Sequence, residues 1–178
     1  MNTRELVESA IACGLAGEVV RTFGNVRLRV FGTSMVPSIL PGDLISVQRA
    51  NVSEISLGEI VLYAREGRLF VHRVVGCKGW PENSHLITRG DWLRHNDPPI
   101  SSSELLGRVI LIERGNSQWR PTLDLSTRER MIVSLFRNSN HATYLYLRLA
   151  ALRQVEARYA APLFGGANER QQFAGSVK

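Results

Sequence analysis

A serine, a histidine and two aspartates lie in separate short motifs of the sequence and together could perform acyl transfer. Ser34 lies in the segment GTSMVPSILPGD at 32–43, whose glycines and prolines predict a tight irregular turn. Such a turn can expose a hydroxyl and leave backbone N–H groups unpaired, as an oxyanion site requires. His72 lies in an apolar, strand-like run, and Asp91 and Asp97 follow in a polar loop.

These residue types suit nucleophilic attack on a peptide bond. A neutral imidazole, with an ordinary pKa of about 6.5, can accept a serine proton near neutral pH. A carboxylate on the other ring nitrogen fixes the tautomer and stabilises the imidazolium. Each motif also has an ordinary structural interpretation, because serine and aspartate are common in turns and histidine occurs in cores. Residue types alone therefore do not decide between chemistry and structure.

The elements that must position these side chains are predicted to be mainly β. The segment 26–114 contains about six short strand-like runs separated by turn signals. Residues 59–75 have the pattern of a hairpin, and residues 90–103 form a polar loop rich in proline. This predicts a compact, mostly antiparallel β fold, either a sandwich or a barrel.

Helices are predicted at both ends of the β region. Apolar spacing predicts a helix over residues 2–21, and Ser126 with Glu129 has the pattern of a capping box before a helix at 128–138. A further helix is predicted at 142–159. The chain then divides into four parts: an N-terminal helix at 1–24, a β domain at 25–115, a C-terminal helical extension at 116–164 and a flexible tail at 165–178.

The composition is that of a folded globular protein. The chain has 178 residues, of which 44% are hydrophobic and 21% charged, which excludes disordered, collagen-like and coiled-coil classes. No apolar run reaches the roughly 18–20 residues of a membrane-spanning helix. No basic start followed by an apolar segment marks a secretory signal. We therefore expect a cytoplasmic protein without a transmembrane segment, with peripheral membrane association as the alternative.

Metal and disulfide chemistry are not favoured. Cys13 and Cys77 are the only cysteines, and neither belongs to a C-x-x-C pair or a cluster with histidine. We therefore expect no metal, no disulfide framework and no cofactor.

The positive charge is concentrated towards the C-terminus. The net charge is +6, and residues 126–160 hold six arginines against two glutamates, or +4 of that total. The favoured interpretation is a solvated helix face, with an anionic membrane surface as the alternative partner of these helices. Nucleic acid is not favoured as a partner, because charge alone supports it.

Four motifs carry a resemblance to a known family. They are Gly-x-Ser-Met-x-Pro-x-x-x-x-Gly-Asp at 32–43, Gly-Glu-Ile-Val at 58–61, His-Arg-Val-Val at 72–75, and Gly90-Asp91 followed by Asp97. In this order and spacing they resemble the type I signal peptidases and the LexA-like self-cleaving repressors. His72 lies where most bacterial members have lysine, so the chain is similar to the archaeal and endoplasmic-reticulum kind, as a soluble member.

The resemblance implies roles for individual residues. Ser34 would be the nucleophile and His72 the general base. Two candidates remain for the acid that orients the base, Asp91 and Asp97, with a slight preference for Asp97. Three neighbours of the serine would shape the turn and its oxyanion site: Thr33, Met35 and Pro37.

The leading interpretation is a serine endopeptidase that cuts peptides or proteins. By resemblance, its substrate would be extended and carry small residues such as alanine before the cut. One alternative is a self-cleaving regulator that cuts its own Ala16–Gly17 bond, although the 16 residues before that bond are too few for a DNA-binding domain. The other alternative is a catalytically vestigial binding module that acts through the basic C-terminal helices.

Overall fold

The structure is a computed structural model that describes residues 3–79, 85–138 and 148. The described elements, in chain order, are α1 (Thr3–Phe23), β1 (Asn25–Arg29), β2 (Leu44–Gln48), β3 (Ile60–Arg65), β4 (Arg68–Lys78), β5 (His85–Arg89), β6 (Leu105–Arg114), β7 (Ser117–Trp119) and α2 (Thr127–Asn138). The helix predicted at 142–159 and the tail at 165–178 lie outside the described residues.

The seven strands form one antiparallel sheet. Its order is β1-β2-β6-β3-β4-β5, and β7 pairs with the end of β6. The prediction of a mostly antiparallel β fold with a helix at each end is confirmed. The hairpin predicted at 59–75 is β3 and β4, in which Val61 pairs with His72 and Tyr63 with Phe70.

Apolar side chains cover both faces of the sheet. Since successive strand residues point to opposite faces, β3 sends Ile60 and Leu62 one way and Val61 and Tyr63 the other. The first pair joins a cluster with Met35, which we call the turn-side cluster. The second pair belongs to the histidine-side cluster, whose buried members are Val61, Tyr63, Val74, Leu86, Ile100 and Leu105. His72 pairs with Val61, so its side chain lies on the same face of the sheet as Val61 and Tyr63.

Helix α1 packs against the sheet through a face of small and apolar residues. Cys13, Ala16 and Val20 are buried, and a side chain at Gly17 would touch Leu106 of β6. Close approach of helix and strand therefore depends on small residues in the middle of α1. Among the described helices, none combines the length and the apolar character needed to cross a membrane.

Candidate active site

Ser34 lies in an irregular turn that is anchored in the core by the residues that follow the serine. The N–H of Val36 donates to the Thr33 carbonyl at 3.1 Å, and the peptide between Val36 and Pro37 is cis. Met35 and Val36 are buried, whereas Ser34 itself is half-buried. The turn thus fixes the backbone and leaves the hydroxyl accessible.

The loop that begins at Gly90 packs directly on this turn. The N–H of Trp92 donates to the Ser34 carbonyl at 3.2 Å. A Cβ at Gly90 would lie 2.6 Å from that carbonyl oxygen, closer than a side chain can approach. The glycine of the Gly90-Asp91 motif therefore allows the loop to approach the turn that carries the serine.

Three side chains from three parts of the chain form a continuous hydrogen-bonded row. His72 Nε2 lies 2.9 Å from Ser34 Oγ, and His72 Nδ1 lies 2.6 Å from Asp97 Oδ2. The row joins the turn after β1, the middle of β4 and the loop after β5. The His72 and Asp97 side chains are only 6% and 16% exposed, so water weakens these bonds little.

The surroundings of Asp97 keep its carboxylate ionised. Thr88 Oγ1 donates to Asp97 Oδ2 at 2.7 Å. Burial opposes ionisation of Asp97, but the hydrogen bonds from His72 and Thr88 outweigh burial and lower the pKa of this carboxyl. An ionised carboxylate can only accept, so His72 Nδ1 carries the proton and Nε2 is left to accept from the Ser34 hydroxyl.

Tyr63 packs beside the His72 ring. Its hydroxyl lies 3.5 Å from His72 Nδ1, and its ring stacks on Phe70 with centroids 5.2 Å apart. Burial raises the pKa of Tyr63 to about 12, so this group stays a neutral hydroxyl at any ordinary pH. Tyr63 and Phe70 therefore shield the His72–Asp97 pair with apolar surface without adding charge.

Asp91 has a different partner, Arg73. The guanidinium of Arg73 donates to both oxygens of Asp91, from Nε at 2.7 Å and from Nη2 at 2.9 Å. Ser38 Oγ, at the end of the serine turn, also donates to Asp91. His72 and Arg73 are neighbours on β4 and point to opposite faces, so each takes one of the two aspartates.

Arg73 also ties distant backbone segments together. Its Nη1 donates to the carbonyl of Gly58 at 2.8 Å and to that of Thr122 at 2.6 Å. The side chains of Arg73 and Asp91 are 8% and 2% exposed. This buried pair therefore braces the serine turn from behind, whereas the row through Asp97 reaches the hydroxyl itself.

The Asp91→Asn change is expected to lower the free energy of unfolding by about 3–5 kcal/mol, because it leaves the buried Arg73 cation without its counter-ion. Urea denaturation followed by circular dichroism measures the effect. Asp124→Asn is the matched control, since that carboxylate is 89% exposed and should change stability by less than about 0.5 kcal/mol. Equal stability of the two variants would contradict a bracing role for Asp91.

Backbone donors beside Ser34 have no partner in the part of the chain that is described. The N–H groups of Thr33, Ser34 and Met35 make no hydrogen bond there. Donors of this kind, next to a nucleophile, can accept a developing oxyanion. The turn thus carries unpaired N–H groups beside the serine hydroxyl, and the part that Thr33, Met35 and Pro37 play in catalysis stays a prediction.

The residues that support Asp97 were not singled out from the sequence. Tyr63 could have been found, because the register of the predicted hairpin brings it close to the strand position of His72. No comparable signal exists for Thr88, whose contact with Asp97 depends on how the loop after β5 turns back. Its carbonyl also accepts the N–H of Asp97 at 2.8 Å, so one residue holds both the backbone and the carboxylate.

Comparison with known proteins agrees with this architecture. Residues 13–84 match the family model described as Peptidase S24-like, and the match includes Ser34 and His72. It confirms the resemblance to the superfamily of LexA-like and signal-peptidase-like serine peptidases. Within that class, the match supports a protease or a related regulator. No curated protein is significantly similar to this chain.

Proposed function

We propose that this chain is a serine endopeptidase in which Ser34 is the nucleophile, His72 the general base and Asp97 the acid that orients the base. The observation that supports this most directly is the row of contacts from Ser34 Oγ through the imidazole to the Asp97 carboxylate, at 2.9 and 2.6 Å. Both distances are within the reach that proton transfer requires.

The proposed reaction has two halves. Ser34 Oγ attacks the carbonyl carbon of the scissile bond while His72 Nε2 takes the hydroxyl proton, and the carbonyl oxygen becomes an oxyanion held by the turn N–H groups. The imidazolium then gives its proton to the leaving amine, the C–N bond breaks, and an ester on Ser34 remains. Water, deprotonated by His72, attacks this ester, the bond to Ser34 Oγ breaks as the imidazolium returns its proton to that oxygen, and the acid is released. Asp97 stays ionised throughout and stabilises the imidazolium.

The substrate is proposed to be an extended peptide or protein segment with small residues before the cut. The family resemblance supports the preference for small residues. An extended segment is supported by the site itself, because the half-buried Ser34 lies on a turn that packs against the loop at 90–97, whose residues 93–96 are exposed. Main-chain hydrogen bonds would supply affinity, and alternate side chains would supply specificity.

The self-cleaving alternative is less well supported by the position of its bond. Ala16 and Gly17 are both helical within α1, and Ala16 is 4% exposed. A peptidase binds its substrate as an extended chain, so α1 would have to unwind and leave the sheet before cleavage.

An interaction of the C-terminal arginines with an anionic membrane stays a prediction, since most of that segment lies outside the described residues.

The test is to incubate the full chain with a peptide library and identify products by mass spectrometry. We expect cuts that follow small residues, and none from a Ser34→Ala chain purified in the same way. Intact mass of the incubated protein tests the alternative, because loss of an N-terminal fragment of 16 residues would indicate a self-cleaving regulator. A library left uncut, or cut equally by both chains, would overturn the peptidase proposal.

A further inference from the structure

We infer that Arg65 and Glu104 form a clasp that holds the loop following Asp97, and that this Arg65–Glu104 clasp positions Asp97 against His72. The inference rests on the proposed function for its consequence in catalysis, but the geometric part can be tested without turnover. Neither residue touches the reacting groups, so both are positioning residues.

Arg65, the last residue of β3, uses three donors on one loop. Its Nη1 and Nη2 donate to the carbonyls of Pro98 and Pro99 at 3.1 and 2.9 Å, and its Nε donates to Glu104 Oε1 at 2.5 Å. Proline has no N–H, so the two residues after Asp97 can be held through the backbone only at their carbonyls. The planar fork of the guanidinium suits two successive carbonyls, which a lysine ammonium could not bind in the same way.

Glu104 fixes the far end of the same loop. Its Oε2 accepts the N–H of Ser101 at 2.9 Å and the hydroxyl of Ser101 at 3.0 Å. Its own carbonyl accepts the N–H of Ala64, the residue before Arg65, at 2.9 Å. The hydrogen bond from Arg65, with those from Ser101, lowers the pKa of Glu104 to about 2 and keeps it ionised. Both ends of the loop at 98–104 are therefore tied to the end of β3.

The clasp is better shielded than an ordinary surface ion pair. The side chains of Arg65 and Glu104 are 22% and 26% exposed, and the guanidinium lies 5.7 Å from the centre of the Tyr63 ring. Exposed pairs contribute little because water screens them. Here partial burial and several hydrogen bonds act on one short loop, so the pair can hold a defined geometry.

The consequence for Asp97 follows from its place in the chain. Asp97 immediately precedes Pro98, so a shift of the clasped carbonyls moves the carboxylate that lies 2.6 Å from His72 Nδ1. The charged or titratable groups that act on Asp97 are His72 from β4 and Tyr63 and Arg65 from β3. A misplacement of about 1 Å in such a site can slow a reaction about 100-fold.

The experiment compares Arg65→Met and Arg65→Lys with a control variant, Arg27→Met. Arg27 on β1 forms an ion pair of similar length with Glu113, at 2.6 Å, and its side chain is 57% exposed. We expect Arg65→Met to lower kcat about 10- to 100-fold with a smaller change in KM. Arg65→Lys should recover part of the loss, and Arg27→Met should leave kcat unchanged.

A second readout is independent of peptide cleavage. In a Ser34→Ala background, proton NMR follows the Nδ1–H resonance of His72, which appears far downfield when this proton is held by Asp97. We expect Arg65→Met to shift or broaden the resonance and Arg27→Met to leave it in place. This outcome would support the clasp even if no peptide were cut, so failure of the proposed function and failure of the inference are distinguishable.

The inference is overturned if folded Arg65→Met and Arg27→Met give the same resonance and the same kcat. If Arg65→Met does not fold, the inference is tested with Glu104→Gln instead. This change keeps the Arg65 guanidinium and removes only the carboxylate charge that orients it. We then expect a smaller loss of kcat in the same direction with the resonance shifted. An unchanged resonance and an unchanged kcat in Glu104→Gln would overturn the inference equally.

Discussion

The Ser34→Ala chain is expected to cleave peptides about 10⁶-fold more slowly than the wild-type chain, and adding His72→Ala should slow it no further. The reason is that the hydroxyl and the imidazole act as one unit. In the proposed mechanism, the 2.9 Å contact between Ser34 Oγ and His72 Nε2 transfers the hydroxyl proton to the imidazole, and this transfer starts the reaction. Once the nucleophile is gone, the base has no proton to accept, so its removal costs nothing more.

The measurement is kcat for the wild type, both single variants and the double variant, on the best peptide from the library. Ser53→Ala is the matched control, because Ser53 is an exposed serine in the segment after β2. Circular dichroism and urea denaturation establish that each variant is folded. Losses that multiply in the double variant would mean that the two residues act independently, which the proposed mechanism does not allow.

The strands that could be predicted are those in which alternation and turn signals agree. Residues 85–89 alternate between buried and half-buried side chains, as a predictable strand does, and they form β5. The prediction for β4 ended at residue 75, whereas the strand continues to Lys78. The reason is a register shift between Val74 and Gly76, which interrupts the period of two that the prediction depends on.

Strand β7 is an element that the sequence could not predict. Its three residues follow the turn at Gly115, in a segment that the sequence indicates only as the start of a helical region. Three residues are too few for any periodic signal. The strand exists because it pairs with Ile112–Arg114 of β6, and pairing with a distant or neighbouring strand is decided by tertiary structure and not by local composition.

The choice between Asp91 and Asp97 could not be made from the sequence for a related reason. The motif at 72–75 places a histidine and an arginine side by side on one strand, and either could pair with a carboxylate. Their side chains point to opposite faces, and the loop after β5 supplies one carboxylate to each face. Sequence order gives no information about which carboxylate lies on which side of β4, so only the folded loop separates the two.

Asp97→Asn is expected to lower kcat about 10⁴-fold while the chain stays folded. The amide of the substituted side chain can donate to His72 Nδ1, which would leave the ring proton on Nε2, the wrong nitrogen for accepting from Ser34. Binding of an extended peptide depends on main-chain contacts elsewhere, so KM should change far less than kcat. Steady-state kinetics on the same peptide measures both, and Asp124→Asn is the control at an exposed carboxylate.

The pH dependence of stability gives this prediction an independent check. Burial opposes ionisation of Asp97, yet the hydrogen bonds from His72 and Thr88 lower its pKa below the ordinary 3.8. Because the pKa is lower in the folded state, ionised Asp97 stabilises the fold at pH values above its ordinary pKa. This stabilisation is lost as the pH falls through the lower pKa of the folded state. The free energy of unfolding of the wild type should therefore exceed that of Asp97→Asn most near neutral pH. The difference should decrease as the pH falls below about 3.8. If Asp91→Asn, and not Asp97→Asn, gave the large loss of kcat with stability unchanged, Asp91 would be the orienting acid.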